Sequence, residues 1–365
     1  MEKKGDHCIV SLGASKVAYS ALNPMFSSGI DTKVICVSHS GKNIHRKHVE
    51  YEGFPEAGYE ITPYNGEKTL DEISNNVAGR SNIIIIPNDL ELLHNVISDT
   101  RTVAIFSTCR EGLYTTYLEV LKKIKREMLV ISLDNDETII KEACKRCNNT
   151  AITFCKGTLH SLCTLVEFPE ETDTIVVHAD TDIELVLPPE SLRLKKYFEF
   201  GAGVFSLRGV PHFAETQKEY NIRSNLKIVD INGIHTLISL LAYRNGFQRG
   251  HTTDVIANKN YEEYLSLDEA IRYSLKAHEQ MYTALVSDND DEDHSFSEER
   301  EAHKLKMVRF VSKIYETGDK IKRGIDFNSV TSLSKVKRHI TYLSKVRDDE
   351  INDCLNYFER KLQDA

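Results

Sequence analysis

Residues 83–86 are four isoleucines in a row, preceded by Asn82 and closed by Pro87. A strand with one wet face alternates apolar and polar side chains. An unbroken apolar run of this length, stopped by a residue that cannot donate to a sheet ladder, is a strand buried on both faces. Similar runs recur at 8–12, 33–37, 103–106, 129–133 and 151–154. Segments with helical apolar spacing lie among them at 16–26, 89–97, 114–126 and 137–147. Buried strands alternating with helices predict an α/β fold on a doubly wound parallel sheet. Such sheets bind ligands at the carboxyl ends of their strands.

Beyond residue 160 the pattern changes. Residues 174–177 and 183–187 read as antiparallel strands, Pro188-Pro189 interrupts them, and no proline follows Pro211. Helical spacing then dominates at 226–244, 267–286, 301–317, 332–343 and 349–362, with Asn245-Gly246 as a stop for the first. A chain of 365 residues is long for one core. These features predict a sheet domain over 1–200 followed by an all-helical domain over 201–365.

Charge and composition narrow the partners. A net charge of −9 argues against a general nucleic-acid binder. No apolar run of the sequence reaches membrane-spanning length, and the first residues lack a signal-peptide core. The expectation is a cytoplasmic protein acting on a small molecule, with no nucleic-acid or membrane partner. Cys144, Cys147, Cys155 and Cys163 are the only cysteines grouped closely enough to suggest zinc. The first two fall at a helix end and the others on separate strands, so no metal site is expected. The acidic run 287–294 lacks the glycine and glutamate spacing of a calcium loop and reads as a solvated loop.

Three places carry candidate chemistry. After the first strand comes Gly13-Ala14-Ser15-Lys16-Val17-Ala18, a strand–turn–helix position where a dinucleotide's pyrophosphate approaches bare backbone. Gly13 suits the turn, whereas Ser15 puts a side chain in the phosphate's path. After the second strand the chain reads Ser38-His39-Ser40-Gly41-Lys42, with Arg46 among basic neighbours. The missing acid and added bases favour NADP over NAD, and the same residues read equally as a solvated basic loop.

The third place is 225–237, a helical segment with Lys227, Asn232 and His235 at K-x4-N-x2-H spacing. At about 100° per residue, Asn232 falls roughly 140° and His235 roughly 80° around from Lys227, within one half of the helix surface. A lysine, an amide and an imidazole so placed can take a proton from an alcohol and hold its oxygen. Asn232-Gly233 is a poor helix-forming pair, and a glycine there points to close approach of a ligand or of another backbone.

The Lys227, Asn232, His235 spacing, followed by 236–243, resembles the polyol-specific long-chain dehydrogenases, which include mannitol 2-dehydrogenase and mannitol-1-phosphate 5-dehydrogenase. Residues 129–136 resemble that family's strand ending in an acid–asparagine pair, here Asp134-Asn135. The resemblance implies a Rossmann-type domain before a helical domain, a nicotinamide cofactor (NAD or NADP) and no metal. It implies Lys227 as general base, Asn232 and His235 as oxygen-holding groups, and Asn135 as a positioning residue. Gly13, Ala14, Ser15, Lys16, Ser38 and Arg46 are then the cofactor-binding positions. The family's basic pair before a leucine–serine falls on Thr331 and Ser332, which argues against an ordinary hexitol phosphate as substrate. The expected activity is NAD(P)-dependent interconversion of a secondary alcohol, a polyol or sugar derivative, and its ketone. The alternative is a divergent member that has lost redox activity and serves as a binding or regulatory module, or runs a non-redox reaction in the same cleft.

Overall fold

The computed structural model describes residues 7–26, 32–39, 44–54, 58–76, 82–134, 136–160, 163–179, 183–197, 211–246, 264–288, 294–317 and 339–363. Two compact units divide the chain, Met1–Tyr220 and Asn221–Ala365. The first runs past residue 200 because the strand His212–Phe213 (β14) pairs in parallel with Glu184–Leu187 (β13).

In the first unit the strands His7–Leu12 (β1), Thr32–Ser38 (β2), Ile83–Pro87 (β6), Thr102–Ser107 (β7), Met128–Ser132 (β8) and Ile152–Lys156 (β9) form one sheet. The short strand Thr62–Pro63 (β5) extends it in the order β5-β6-β2-β1-β7-β8-β9. All its pairings are parallel. Leaving out β5, the order by sequence is 3-2-1-4-5-6, the doubly wound arrangement, and it reverses direction between β1 and β7. The four isoleucines show why the run is unbroken. Ile84 and Ile86 enter a core with the helices Leu70–Asn76 (α2), Leu90–Ser98 (α3), Leu118–Lys122 (α5) and Glu137–Cys147 (α6), while Ile83 and Ile85 enter the opposite core. The segment expected as one helix over 114–126 is two short pieces, Gly112–Thr115 (α4) and α5, separated by Thr116 and Tyr117.

The opposite face is covered by a helix and a second sheet. Residues 16–26 form a helix (α1). Beside it lies a four-stranded sheet in the order β11-β12-β3-β4, from Cys163–Glu167, Thr174–Ala179, His48–Tyr51 and Tyr59–Glu60. The link between helix and sheet has a physical cause. In α1 a π-turn at Ala18–Leu22 sends the Asn23 N–H to Ala18 O, so the Tyr19 carbonyl loses its usual donor. Pro24 has no N–H for the Ser20 carbonyl. The hydroxyl of Tyr51 lies 2.7 and 2.9 Å from these two oxygens, and that of Tyr59 lies 2.8 Å from Tyr19 O. Leaving a buried carbonyl unmet costs about 1–3 kcal/mol, so two phenols from the second sheet repair the helix defect. Cys147 and Cys155 are buried in opposite cores.

The second unit is helical. The helix Gln217–Lys227 (α7), whose first four residues close the first unit, leads through a π-turn at Ile228–Asn232 into Gly233–Arg244 (α8). This stretch is, by length and composition, apolar enough to cross a membrane, contrary to the sequence-based expectation, but 72% of its apolar window is buried within the protein. It ends at Asn245-Gly246, where Gly246 takes φ +101°. Around it stand Leu267–Asp288 (α9), His294–Thr317 (α10), a short helix over 339–343 (α11) and Asp349–Gln363 (α12). Residues 289–293 of the acidic run and 332–338 of an expected helix lie outside the described residues.

Candidate functional site

The reversal of strand order lies at β1 and β7, and the turn after β1 is closed upon itself. Gly13 takes φ +105°, and a Cβ there would stand 2.9 Å from Thr108 Oγ1, so only glycine fits. Ser15 donates to Thr108 Oγ1 at 2.8 Å, and Thr108 in turn donates to Gly13 O at 2.9 Å. The Ala14 amide binds Val37 O, the Ser15 amide binds Gly13 O, and the Ala18 amide meets Ser15 Oγ at 3.4 Å. The serine side chain therefore occupies the mouth of the helix that a phosphate would approach. Lys16 is exposed beside it.

The neighbouring strand ends complete this edge. Ser38 is buried, and the exposed residue at the end of β2 is His39, whose Nε2 lies 3.2 Å from Tyr117 Oη. Burial raises the Tyr117 hydroxyl above its ordinary range, so it remains a donor. Arg46 is committed elsewhere: its guanidinium donates to Pro169 O at 2.7 Å, to Thr174 O at 3.3 Å and to Thr172 O. Cys109 sits 3.3 Å from Ser107 Oγ, and burial pushes its thiol up to about 11, which leaves it inert as a nucleophile at neutral pH. Arg110, at φ 51°, reaches toward Asp134 at 3.7 Å. Asn135 lies outside the described residues.

In the second unit Lys227, Asn232 and His235 are each half-buried. The helix that carries them is not a plain α-helix. The Gly233 N–H donates to Ile228 O, an i→i+5 bond, and a Cβ on Gly233 would stand 2.7 Å from that oxygen. The backbone that comes close to Gly233 is thus the helix's own. The extra residue in the turn also revises the angular reading from the sequence. Five residues across a π-turn return to within roughly 50° of the start instead of roughly 140°. By the same geometry Lys227, Asn232 and His235 converge on one side of the helix, with His235 packed edge-on to Phe310 at 6.3 Å.

Two polar groupings that the sequence reading missed surround this helix. Thr236 Oγ1 lies 2.9 Å from Asn232 O and 2.7 Å from His339 Nδ1 on α11. A hydroxyl has one proton, and the carbonyl can only accept it, so His339 donates from Nδ1. Asp230, fully buried inside the π-turn, is held at 3.0 Å by His278 Nε2 of α9 and at 2.6 Å by His303 Nδ1 of α10. His303 Nε2 faces Glu299 at 3.9 Å, and Glu299 pairs with both terminal nitrogens of Arg223 at 3.2 and 3.1 Å. Burial pushes the Asp230 carboxyl up, but the two histidine hydrogen bonds and their charge outweigh it and the net shift is downward. His303, against the opposing effect of burial and with Arg223, holds Glu299 down at about 2. An aspartate on an apolar helix was the available signal for this cluster, because a buried carboxylate requires partners.

No protein-family profile matches the chain, and no curated protein matches it. The resemblance to polyol-specific dehydrogenases therefore rests on the sequence alone, on the Lys227, Asn232, His235 spacing and on residues 129–136. Among solved structures, octopine dehydrogenase with NADH and agmatine superposes with a TM-score of 0.48 at 10% identity, over 98% of this chain and 90% of that one. A PanE/ApbA family ketopantoate reductase from Ralstonia eutropha JMP134 gives 0.44 at 10% identity, over 97% and 98%. D-Mandelate dehydrogenase with NADH and anilino(oxo)acetate gives 0.41 at 11%, over 97% and 98%. Superpositions this loose decide nothing about chemistry; the fold class rests on the strand order and pairings above.

Proposed function

We propose that the chain is an oxidoreductase that interconverts a secondary alcohol and its ketone with a nicotinamide dinucleotide, Lys227 acting as general base. The observation that carries this reading is the π-turn at Ile228–Asn232; at its wider pitch, Lys227, Asn232 and His235 fall on one side of the helix. In oxidation, neutral Lys227 takes the hydroxyl proton, and Asn232 and His235 donate hydrogen bonds to the oxygen as its charge builds. The half-buried setting of Lys227 supports the desolvation that a lysine base needs. The dinucleotide, when bound, supplies the hydride acceptor.

The turn after β1 fits such a cofactor in its placement and in Gly13, and departs from it in Ser15. Opening the Ser15–Thr108 contact forfeits one neutral hydrogen bond, about 0.5–1.5 kcal/mol net, or roughly a two- to tenfold loss of affinity. Micromolar binding is worth about 8 kcal/mol, so the closed turn weakens a dinucleotide site without abolishing it. The substrate favoured by this reading is an uncharged polyol or sugar derivative, since Thr331 and Ser332 bring no positive charge.

A second reading takes the closed turn at face value: a dehydrogenase fold that has lost redox activity and serves as a binding or regulatory module. Titration with NADH and with NADPH separates the two. The oxidoreductase reading expects saturable binding of at least one of them. It also expects a rise in apparent stability of about 2.7 kcal/mol at one hundred times Kd. No binding of either nucleotide favours the second reading and removes the first.

A further inference from the structure

A π-turn is rare and occurs mostly as a single-turn bulge inside an α-helix, so its presence asks what holds it. Gly233 permits the turn near Lys227, because it lacks the Cβ that would meet Ile228 O at 2.7 Å, but permission is not retention. Retention needs a contact made from inside the turn. Asp230 makes a directional, polar one: it lies within Ile228–Asn232, is fully buried, and is gripped by His278 from α9 and His303 from α10. Through His303 and Glu299 the same cluster returns to Arg223, one helical turn before Lys227. Lys227 is thereby bracketed, with an anchor four residues before it and another three residues after it. Tyr282 of α9 fills the space between the two imidazoles, with ring centroids 5.8 and 5.9 Å away.

We propose that Asp230 is a positioning residue for the Lys227–Asn232–His235 group, pinning the π-turn that makes them converge. The inference rests on the oxidoreductase reading for its consequence, and on geometry alone for its mechanism. Freed from the histidines, the turn relaxes and Asn232 swings from roughly 50° to roughly 140° from Lys227. Displacements of about 1 Å at reacting groups cost on the order of 10²-fold in rate. Asp230 touches neither the alcohol nor the cofactor and acts only through the helix.

The test uses the full chain and two readouts. The first is the through-hydrogen-bond coupling between the Gly233 amide nitrogen and the Ile228 carbonyl carbon, which reports the π-turn directly and needs no activity. It is expected in the wild type and absent in Asp230→Asn; His303→Gln, which breaks the same grip from α10, should lose it too. A coupling that persists in both variants, or is missing from the wild type, overturns the proposal. The second readout is turnover. Asp230→Asn should lower kcat about 100-fold with dinucleotide Kd unchanged. Gly233→Ala, which forbids the π-turn, should do the same, and the double variant should be no worse than either single one. Additive losses, or a wild-type kcat in Asp230→Asn with the coupling gone, overturn it equally. A wild type that shows the coupling but turns over no alcohol indicts the oxidoreductase reading instead and leaves the pinning by Asp230 supported by the coupling.

Discussion

The carbonyl oxygen of Ile228 occupies the space that a side chain at Gly233 would need, 2.7 Å from its Cβ position. In an ordinary helix interior, alanine stabilises by about 0.8–1 kcal/mol relative to glycine. Here the sign should reverse. Gly233→Ala must break the i→i+5 bond or shift the backbone, so chemical denaturation should show a net loss of stability. A gain near 1 kcal/mol would mean that the helix is regular at this point.

The closed turn after β1 makes a prediction in the other direction. Ser15→Gly removes the hydroxyl that meets Ala18 N and Thr108 Oγ1. Thr108→Val removes the other end of the contact. Each variant should tighten dinucleotide binding by roughly two- to tenfold, measured by titration, because the ligand no longer displaces a hydrogen bond. Weaker binding in both would show that these hydroxyls serve the ligand instead of excluding it.

Acid should loosen the second unit in a defined window. Glu299 is held from 4.5 down to about 2, and Asp230 is shifted in the same direction. Between those values the folded chain binds fewer protons than the unfolded chain, so stability rises with pH there. The contribution is present above about 4.5 and is lost as pH falls toward 2. Glu299→Gln should flatten this dependence in denaturation midpoints taken along the pH axis. An unchanged slope would remove the Arg223–Glu299–His303 link as its source.

Tyr51 and Tyr59 answer the carbonyls left open in α1, and their loss should be felt as unmet buried acceptors. Tyr51→Phe removes the contact to two of them while preserving volume and should destabilise by about 1–3 kcal/mol. Tyr59→Phe should cost less, because Tyr51 still reaches Tyr19 O. Equal and negligible effects would assign those carbonyls to water.

How much of this was legible beforehand follows from which interactions are local. The run Ile83–Ile86 announced a strand buried on both faces, since each isoleucine must find apolar cover whichever way it points. The closed turn at Ser15 was half-legible: the wrong side chain for a phosphate could be read, but its partner Thr108 lies 93 residues on. The π-turn was hidden because helical spacing assumes a constant angle per residue, and Asn232-Gly233 was the only local sign of a break. Asp230 and its two histidines were illegible for the same reason, as they meet across 48 and 73 residues. Arg46 shows the same limit from the other side: a basic residue near a strand end reads as a phosphate ligand, and the carbonyls it binds lie more than 120 residues away.

The central claim is that Lys227 moves a proton on a carbon-bound oxygen, and one comparison tests it most directly. Wild-type protein and Lys227→Ala would each be mixed with NAD and NADP and a panel of hexitols and related secondary alcohols, with reduced nicotinamide followed by absorbance and nucleotide binding measured in parallel. The account predicts turnover in the wild type, and in the variant unchanged nucleotide affinity with turnover lost. Undiminished turnover in Lys227→Ala would contradict it.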